Sequence, residues 1–247
     1  MGGALVTGSA GGIGLATARL LADRGFEVVV SDLDSDRSRQ AAEAIGRGAR
    51  GIALDVTDPA ACRAAAASVV ESAGSLDVWV NNAGVLVTGK AQDQSTDDFR
   101  SMIEVNYLGT VNGTLAALDV MRKAERGTIV NIVSLAGLIA APGEVAYSAS
   151  KHAALAFTLG TLYDLRRSGE DKVDLCAICP DGVWTPMIAP TLDDPTRRAA
   201  SPAAPNSVPT TWRKRSDAQS RGRDRSPPYR VTGAPSCASS PPSRASR

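Results

Sequence analysis

From Met1 to about Pro190, short apolar runs rich in β-branched residues alternate with stretches whose apolar positions recur every three to four residues. The runs place strands at 5–6, 26–30, 51–55, 76–80, 127–133 and 173–179, and the longer period places helices at 13–24, 37–45, 59–73, 97–123 and 146–167. Regular alternation of this kind calls for parallel strands joined by right-handed crossover helices. The strand segments are continuously apolar instead of alternating, as strands covered by helices on both faces are. The expected fold class is therefore α/β, a Rossmann-like doubly wound parallel sheet. In such a sheet all strand C-termini share one edge, where ligands bind.

The pattern stops after Pro190. Residues 191–247 hold nine of the fourteen prolines, ten serines and only three Leu, Ile or Val. They carry ten Arg, one Lys and four Asp, a net +7, which leaves −6 on the first 190 residues beneath an overall +1. So little apolar surface does not offset roughly 1–2 kcal/mol of backbone ordering per residue. Two regions are expected: 1–190 as the folded domain and 191–247 as a disordered basic Pro/Ser/Arg-rich tail, with the usual last strand of the sheet missing. Either a genuine extension or a slip of coding frame near 191–196 explains the break, and the aliphatic-poor composition favours the slip. A bare sheet edge would expose unpaired backbone groups, so low stability and aggregation are expected of this chain.

Apolar residues make up 43% of the chain and charged residues 21%, ordinary values for a globular protein. No apolar run approaches a membrane span and no cleavable leader pattern opens the chain, so the expectation is a cytoplasmic protein with no membrane partner. Cys176 and Cys179 form a C-x-x-C, but no second pair completes a four-ligand site, and residues three apart on a strand point to opposite faces. With His152 the only histidine, no metal site is expected and a Ser-His-Asp hydrolase is disfavoured. The arginines of the tail lack an aromatic stacking platform beyond Trp212 and Tyr229, so no specific nucleic-acid binding is expected.

Candidate chemistry lies at the strand ends. Thr7-Gly8-Ser9-Ala10-Gly11-Gly12-Ile13-Gly14 links the first strand to the first helix, and its glycines permit a tight turn with close backbone approach to a pyrophosphate at the helix N-terminus. Asp32 ends the second strand, 18 residues beyond Gly14. A carboxylate there accepts hydrogen bonds from ribose hydroxyls and repels a 2′-phosphate, and no Arg or Lys is evident in sequence to offset it. NAD is expected over NADP. Asp34 and Asp36 are the better helix-capping carboxylates. Tyr147-Ser148-Ala149-Ser150-Lys151 begins a helix, so Tyr147 and Lys151 share one face. An ammonium about 5 Å from a phenol, at an effective dielectric near 20, is worth roughly 3 kcal/mol, enough to lower the phenol pKa by about two. Such a spacing also recurs by chance as a surface Tyr beside a solvated Lys. Ser134 ends the fifth strand, where a hydroxyl either orients a substrate oxygen or caps a turn. Asn106, a mediocre helix former inside a helical pattern, invites a polar-network reading.

Together these segments resemble the short-chain dehydrogenase/reductase family over about residues 3–190. Thr7 to Gly14 matches its T-G-x-x-x-G-x-G turn, and Asn81-Asn82-Ala83-Gly84 its N-N-A-G element. Asp55, with Val56 beside it, matches the acidic position that contacts adenine. Asn106, Ser134, Tyr147 and Lys151 fill the four catalytic positions in the family's order. The resemblance implies an NAD-binding site built from Gly8, Ser9, Gly11, Gly12, Ile13, Gly14, Asp32, Asp55, Val56, Asn82, Ala83 and Gly84. Tyr147, Lys151, Pro180, Val183 and Thr185 would complete it. It also implies that Tyr147 is general acid or base toward a secondary alcohol or ketone, that Ser134 orients the substrate oxygen, and that Lys151 lowers the phenol pKa and holds the nicotinamide ribose. Asn106 would support a proton-relaying water. A homodimer or homotetramer through the long helices would follow by analogy. Asp181 stands where the family's P-G-x-V-x-T stretch has glycine. The alternative from another class is a catalytically silent NAD-binding scaffold with an incomplete substrate pocket.

Overall fold

A computed structural model describes residues 2–181, 187 and 229–231 of the chain. Seven parallel strands form one sheet in the order β3-β2-β1-β4-β5-β6-β7. The strands are β1 (Gly3–Val6), β2 (Glu27–Asp32), β3 (Arg50–Ala53), β4 (Leu76–Asn81), β5 (Gly127–Ile132), β6 (Val173–Cys179) and β7 (Tyr229–Val231). The helices are α1 (Gly12–Asp23), α2 (Ser35–Ile45), α3 (Pro59–Ala73), α4 (Thr96–Met102), α5 (Gly109–Met121) and α6 (Val145–Arg167). A π-helical turn, Ile103–Leu108, joins α4 to α5 inside the span read from sequence as one helix.

Strand order reverses between β1 and β4, and it is at the strand C-termini beside such a reversal that doubly wound sheets bind ligands. All four residues of β1 are buried, and successive ones serve opposite cores. Ala4 and Val6 join Val28, Val30, Val80 and Ile132 beneath α1 and α2. Leu5 joins Val29, Trp79, Ile129 and Leu175 beneath α3, α5 and α6. Two-faced burial is why these strands read as unbroken apolar runs.

Local chemistry sets the helix starts. The Asp34 carboxylate accepts from the Asp36 and Arg37 amides, Asp58 caps α3 ahead of Pro59, and Ser95 with Asp98 forms a capping box on α4. The Cys176 and Cys179 side chains fall on opposite sheet faces, in separate apolar clusters, as their spacing requires. No helix among the described residues is long and apolar enough to cross a membrane.

One expectation is corrected. The edge beyond β6 is not bare: Tyr229, Arg230 and Val231 pair in register with Ala177, Ile178 and Cys179. An unpaired β6 edge offers a row of backbone donors and acceptors, and the three-residue stretch meets those at its C-terminal end. Inside Arg/Pro/Ser-rich sequence so short a strand leaves no periodic signal. The expected disorder of the rest of 191–247 concerns residues outside those described.

Candidate active site

The glycine-rich turn packs against the end of β4. Gly8 and Gly12 adopt left-handed backbone conformations, at φ +58° and +57°. A Cβ on Gly14 would stand 2.5 Å from Asn82 Nδ2 and 2.7 Å from the Gly8 carbonyl, so side-chain-free backbone is required there. The Thr7 hydroxyl accepts the Asn82 and Ala83 amides, and Asn82 Nδ2 donates to the Thr7 and Gly8 carbonyls. Unlike α2, α3 and α4, helix α1 has a glycine, Gly11, at its N-cap, no side chain capping its first amides and no acidic residue in its first turn. Free helix N-terminal donors beside a glycine cradle fit the pyrophosphate of a dinucleotide.

Not every sequence-proposed cofactor residue faces that cradle. Ser9 is fully buried and staples β1 to β2, its hydroxyl donating to the Val6 carbonyl and accepting the Ser31 amide. Val56 is buried against Gly109, and its carbonyl accepts from Asn112. Asp55 is exposed and spends one oxygen on the Thr57 amide and hydroxyl. Asp32 is half-buried at the end of β2, with the Ala10 amide 3.4 Å from its carboxylate. No compensating cation was evident in sequence near Asp32, yet Arg37 Nη2 comes within 4.0 Å of where a Gly11 Cβ would stand. The Asp34 cap starts α2 immediately after β2 and swings Arg37 back over the turn. Pro180 ends β6, and its carbonyl accepts the Leu135 amide. Val183 and Thr185 lie outside the described residues.

The catalytic candidates meet beyond β5. Lys151 Nζ lies 5.7 Å from the centre of the Tyr147 ring, as one helical turn on a shared face allows. It donates to the Ile132 carbonyl at 3.0 Å and would stand 3.7 Å from a Cβ on Gly84. Ser134 Oγ caps the short 3-10 turn that follows, accepting the Ala136 amide, and also hydrogen-bonds Tyr147. The turn cap and the partner of Tyr147 are thus one group. Asn106 sits in the π-helical turn, fully buried, a setting that recurs at functional sites. Its side chain accepts the Val85 amide and donates to the Val85 carbonyl and Ser150 Oγ. It pins the loop after β4 to α6, and its main-chain carbonyl accepts from Thr110 Oγ1.

Electrostatics depart from the expected direction. Burial pushes the Tyr147 phenol up to about 12, with the Glu144 charge adding to the rise and the Ser134 hydrogen bond opposing it. Burial draws the Lys151 ammonium down to about 8, countered by the Cys179 sulfur. A two-body estimate of lysine beside phenol omits this loss of hydration, which dominates for both groups.

Sequence reading missed the support beneath the site. Trp79 Nε1 donates to Asn81 Oδ1, and Asn81 Nδ2 donates to Thr114 Oγ1 and Asn131 Oδ1. Asn131 Nδ2 in turn donates to Thr158 Oγ1, on the helix that carries Tyr147 and Lys151. A lone asparagine inside an apolar strand was the available signal.

The sequence profile of the short chain dehydrogenase family matches residues 3–196. A cyclopentanol dehydrogenase from Comamonas testosteroni is 37% identical over 194 residues, 77% of this chain and 76% of the relative. A trans-4-hydroxycyclohexanecarboxylate dehydrogenase from Sinomonas cyclohexanicum is 38% identical over 195 residues, covering 75% and 74%. The oxidoreductase UcpA of Escherichia coli K12 is 36% identical over 214 residues, covering 85% and 78%. On the family match, and with a glycine cradle suited to a dinucleotide, the chain belongs to the short-chain dehydrogenases, oxidoreductases that work with a nicotinamide dinucleotide.

Proposed function

We propose that this protein transfers a hydride between NAD(H) and a compact, largely apolar secondary alcohol or its ketone, with Tyr147 as the proton donor and acceptor. The observation that carries this reading is the convergence of Ser134, Tyr147 and Lys151 beyond the tip of β5. NAD(H) would supply or take the hydride and, when oxidised, a positive charge that favours tyrosinate. Tyr147 gives a proton to the substrate oxygen in reduction and removes one in oxidation. Ser134 donates to that same oxygen and holds it in line. Lys151, drawn down to about 8, offers an ammonium that exchanges its proton near neutral pH. A phenol pushed up to about 12 is protonated at neutrality, so reduction is its ready direction and oxidation should speed up in alkali.

Substrate class follows from the segments at 85–91 and 135–145, which carry mostly apolar residues, and from the alicyclic alcohols in the names of two relatives. Preference for NAD rests on Asp32 at the end of β2, with Arg37 across the turn acting the other way. Exposed Leu108, Leu115 and Tyr163 on the long helices support assembly into a homodimer or homotetramer. The test is Tyr147→Phe assayed with NAD and a panel of secondary alcohols, following reduced-cofactor absorbance. Turnover should fall at least a thousandfold (about 4 kcal/mol) with NADH affinity unchanged. Wild-type NADH binding without turnover of any alcohol or ketone would instead favour a silent dinucleotide-binding scaffold.

A further inference from the structure

The loop before α6 and the segment after β4 meet at one bridge. Gly89 and Glu144 form an isolated parallel bridge, with the Gly89 amide donating to the Gly143 carbonyl at 2.8 Å. Glu144 is the residue preceding α6, three positions ahead of Tyr147. Its side chain is half-buried, and no ion pair among the described residues involves it. Burial alone raises its carboxyl, and its charge is felt at the Tyr147 phenol.

The facing segment is also short of donors. Gln94 Cγ lies 3.5 Å from where a Cβ on Gly89 would stand, and Nε2 donates to the Val87 carbonyl. Gln94 Oε1 and Thr88 Oγ1 are both buried without a hydrogen-bond partner among the described residues. Glu144 thus stands at a bridge to the segment that carries these two oxygens, and its charge reaches the Tyr147 phenol. A half-buried carboxylate with no ion-pair partner favours a cation or a donor.

We propose that Glu144 forms a charge-selecting subsite for the substrate, taking a ring substituent that carries an ammonium or hydroxyl group and turning away a carboxylate. The preferred class is then amino- or hydroxy-substituted alicyclic alcohols over hydroxy acids. This rests on the proposed hydride transfer for its meaning but not for its measurement. A charge about 8 Å from the carboxylate, at an effective dielectric near 20, shifts affinity by up to roughly thirtyfold, and solvent screening brings this to about tenfold.

The experiment compares wild type, Glu144→Gln and Glu144→Ala with three ring alcohols of like size: trans-4-aminocyclohexanol, cyclohexanol and trans-4-hydroxycyclohexanecarboxylate. Each is measured twice, as kcat/KM with NAD and as calorimetric affinity for the NADH complex. NADH affinity and the unfolding midpoint report whether each variant is intact. Wild type should rank amino over unsubstituted over carboxylate, about tenfold per step, and both variants should compress the order to within about threefold. Equal rankings in wild type and variants, or a carboxylate accepted as well as cyclohexanol, overturn the proposal. Charge-ordered binding without turnover sinks the hydride-transfer reading and leaves this one standing; turnover without charge order does the reverse. Absence of both binding and turnover refutes the two together.

Discussion

Lys151→Met should abolish turnover and yet make the protein more stable at neutral pH. The ammonium is buried, and its fall from 10.5 to about 8 measures how much the folded state disfavours the charge. That difference corresponds to roughly 3 kcal/mol. Methionine fills nearly the same volume without charge, but the Ile132 carbonyl loses its donor, returning about 1–2 kcal/mol. The expected net gain at pH 7 is about 1–2 kcal/mol. The sign reverses the usual lysine case, because the folded pKa is lowered. Below about pH 8 the residue is charged in both states and its burial penalty is complete. Between about 8 and 10.5 the unfolded chain keeps a proton that the folded one has released, so wild-type stability climbs and the advantage of the variant shrinks. Urea unfolding of both full-length proteins at pH 7, 8, 9 and 10 measures it. A variant less stable than wild type at pH 7, or an advantage unchanged up to pH 10, would refute the reasoning.

Gly14→Ala places a methyl 2.5 Å from Asn82 Nδ2 and against backbone; it should destabilise by about 1–3 kcal/mol in urea and remove measurable NADH affinity by fluorescence titration. Asp32→Ser takes away the carboxylate while leaving Arg37 beside the turn; kcat/KM should drop about tenfold with NAD and rise with NADP, and an unchanged ratio would count against the assignment. Asn131→Ala removes one buried partner each from Asn81 and Thr158, which keep Thr114 and the Ala154 carbonyl; a loss of about 1–3 kcal/mol by urea unfolding is expected, with none meaning that the network is merely tolerated.

Much of the fold was legible because burial on both faces leaves a strand no polar positions. Segments such as 4–6 and 28–30 therefore stood out as unbroken apolar text between helical periods. The site was legible for a related reason: a doubly wound sheet delivers all strand ends to one edge, so motifs at 7–14, 32, 81–84 and 134 had to be neighbours. What failed was local or cooperative. The π-helical turn at Asn106 has no helix-breaking residue in Ile103–Leu108 to announce it. The Ser9 hydroxyl faces inward to Val6 and Ser31, which its place in the glycine motif does not reveal. A three-residue strand at Tyr229–Val231 carries too few positions to show a period.

By itself the sequence determined the order of strands and helices, the parallel class of the sheet, and the one-turn spacing that sets Lys151 beside Tyr147. Each of these follows from periodicity and covalent distance along the chain. Tertiary structure alone decided the direction of the pKa shifts at Tyr147 and Lys151, the reach of Arg37 to the glycine turn, and the meeting of Glu144 with Gly89. Hydration and electric field at a residue depend on everything packed around it, and those neighbours come from segments tens of residues away in the chain.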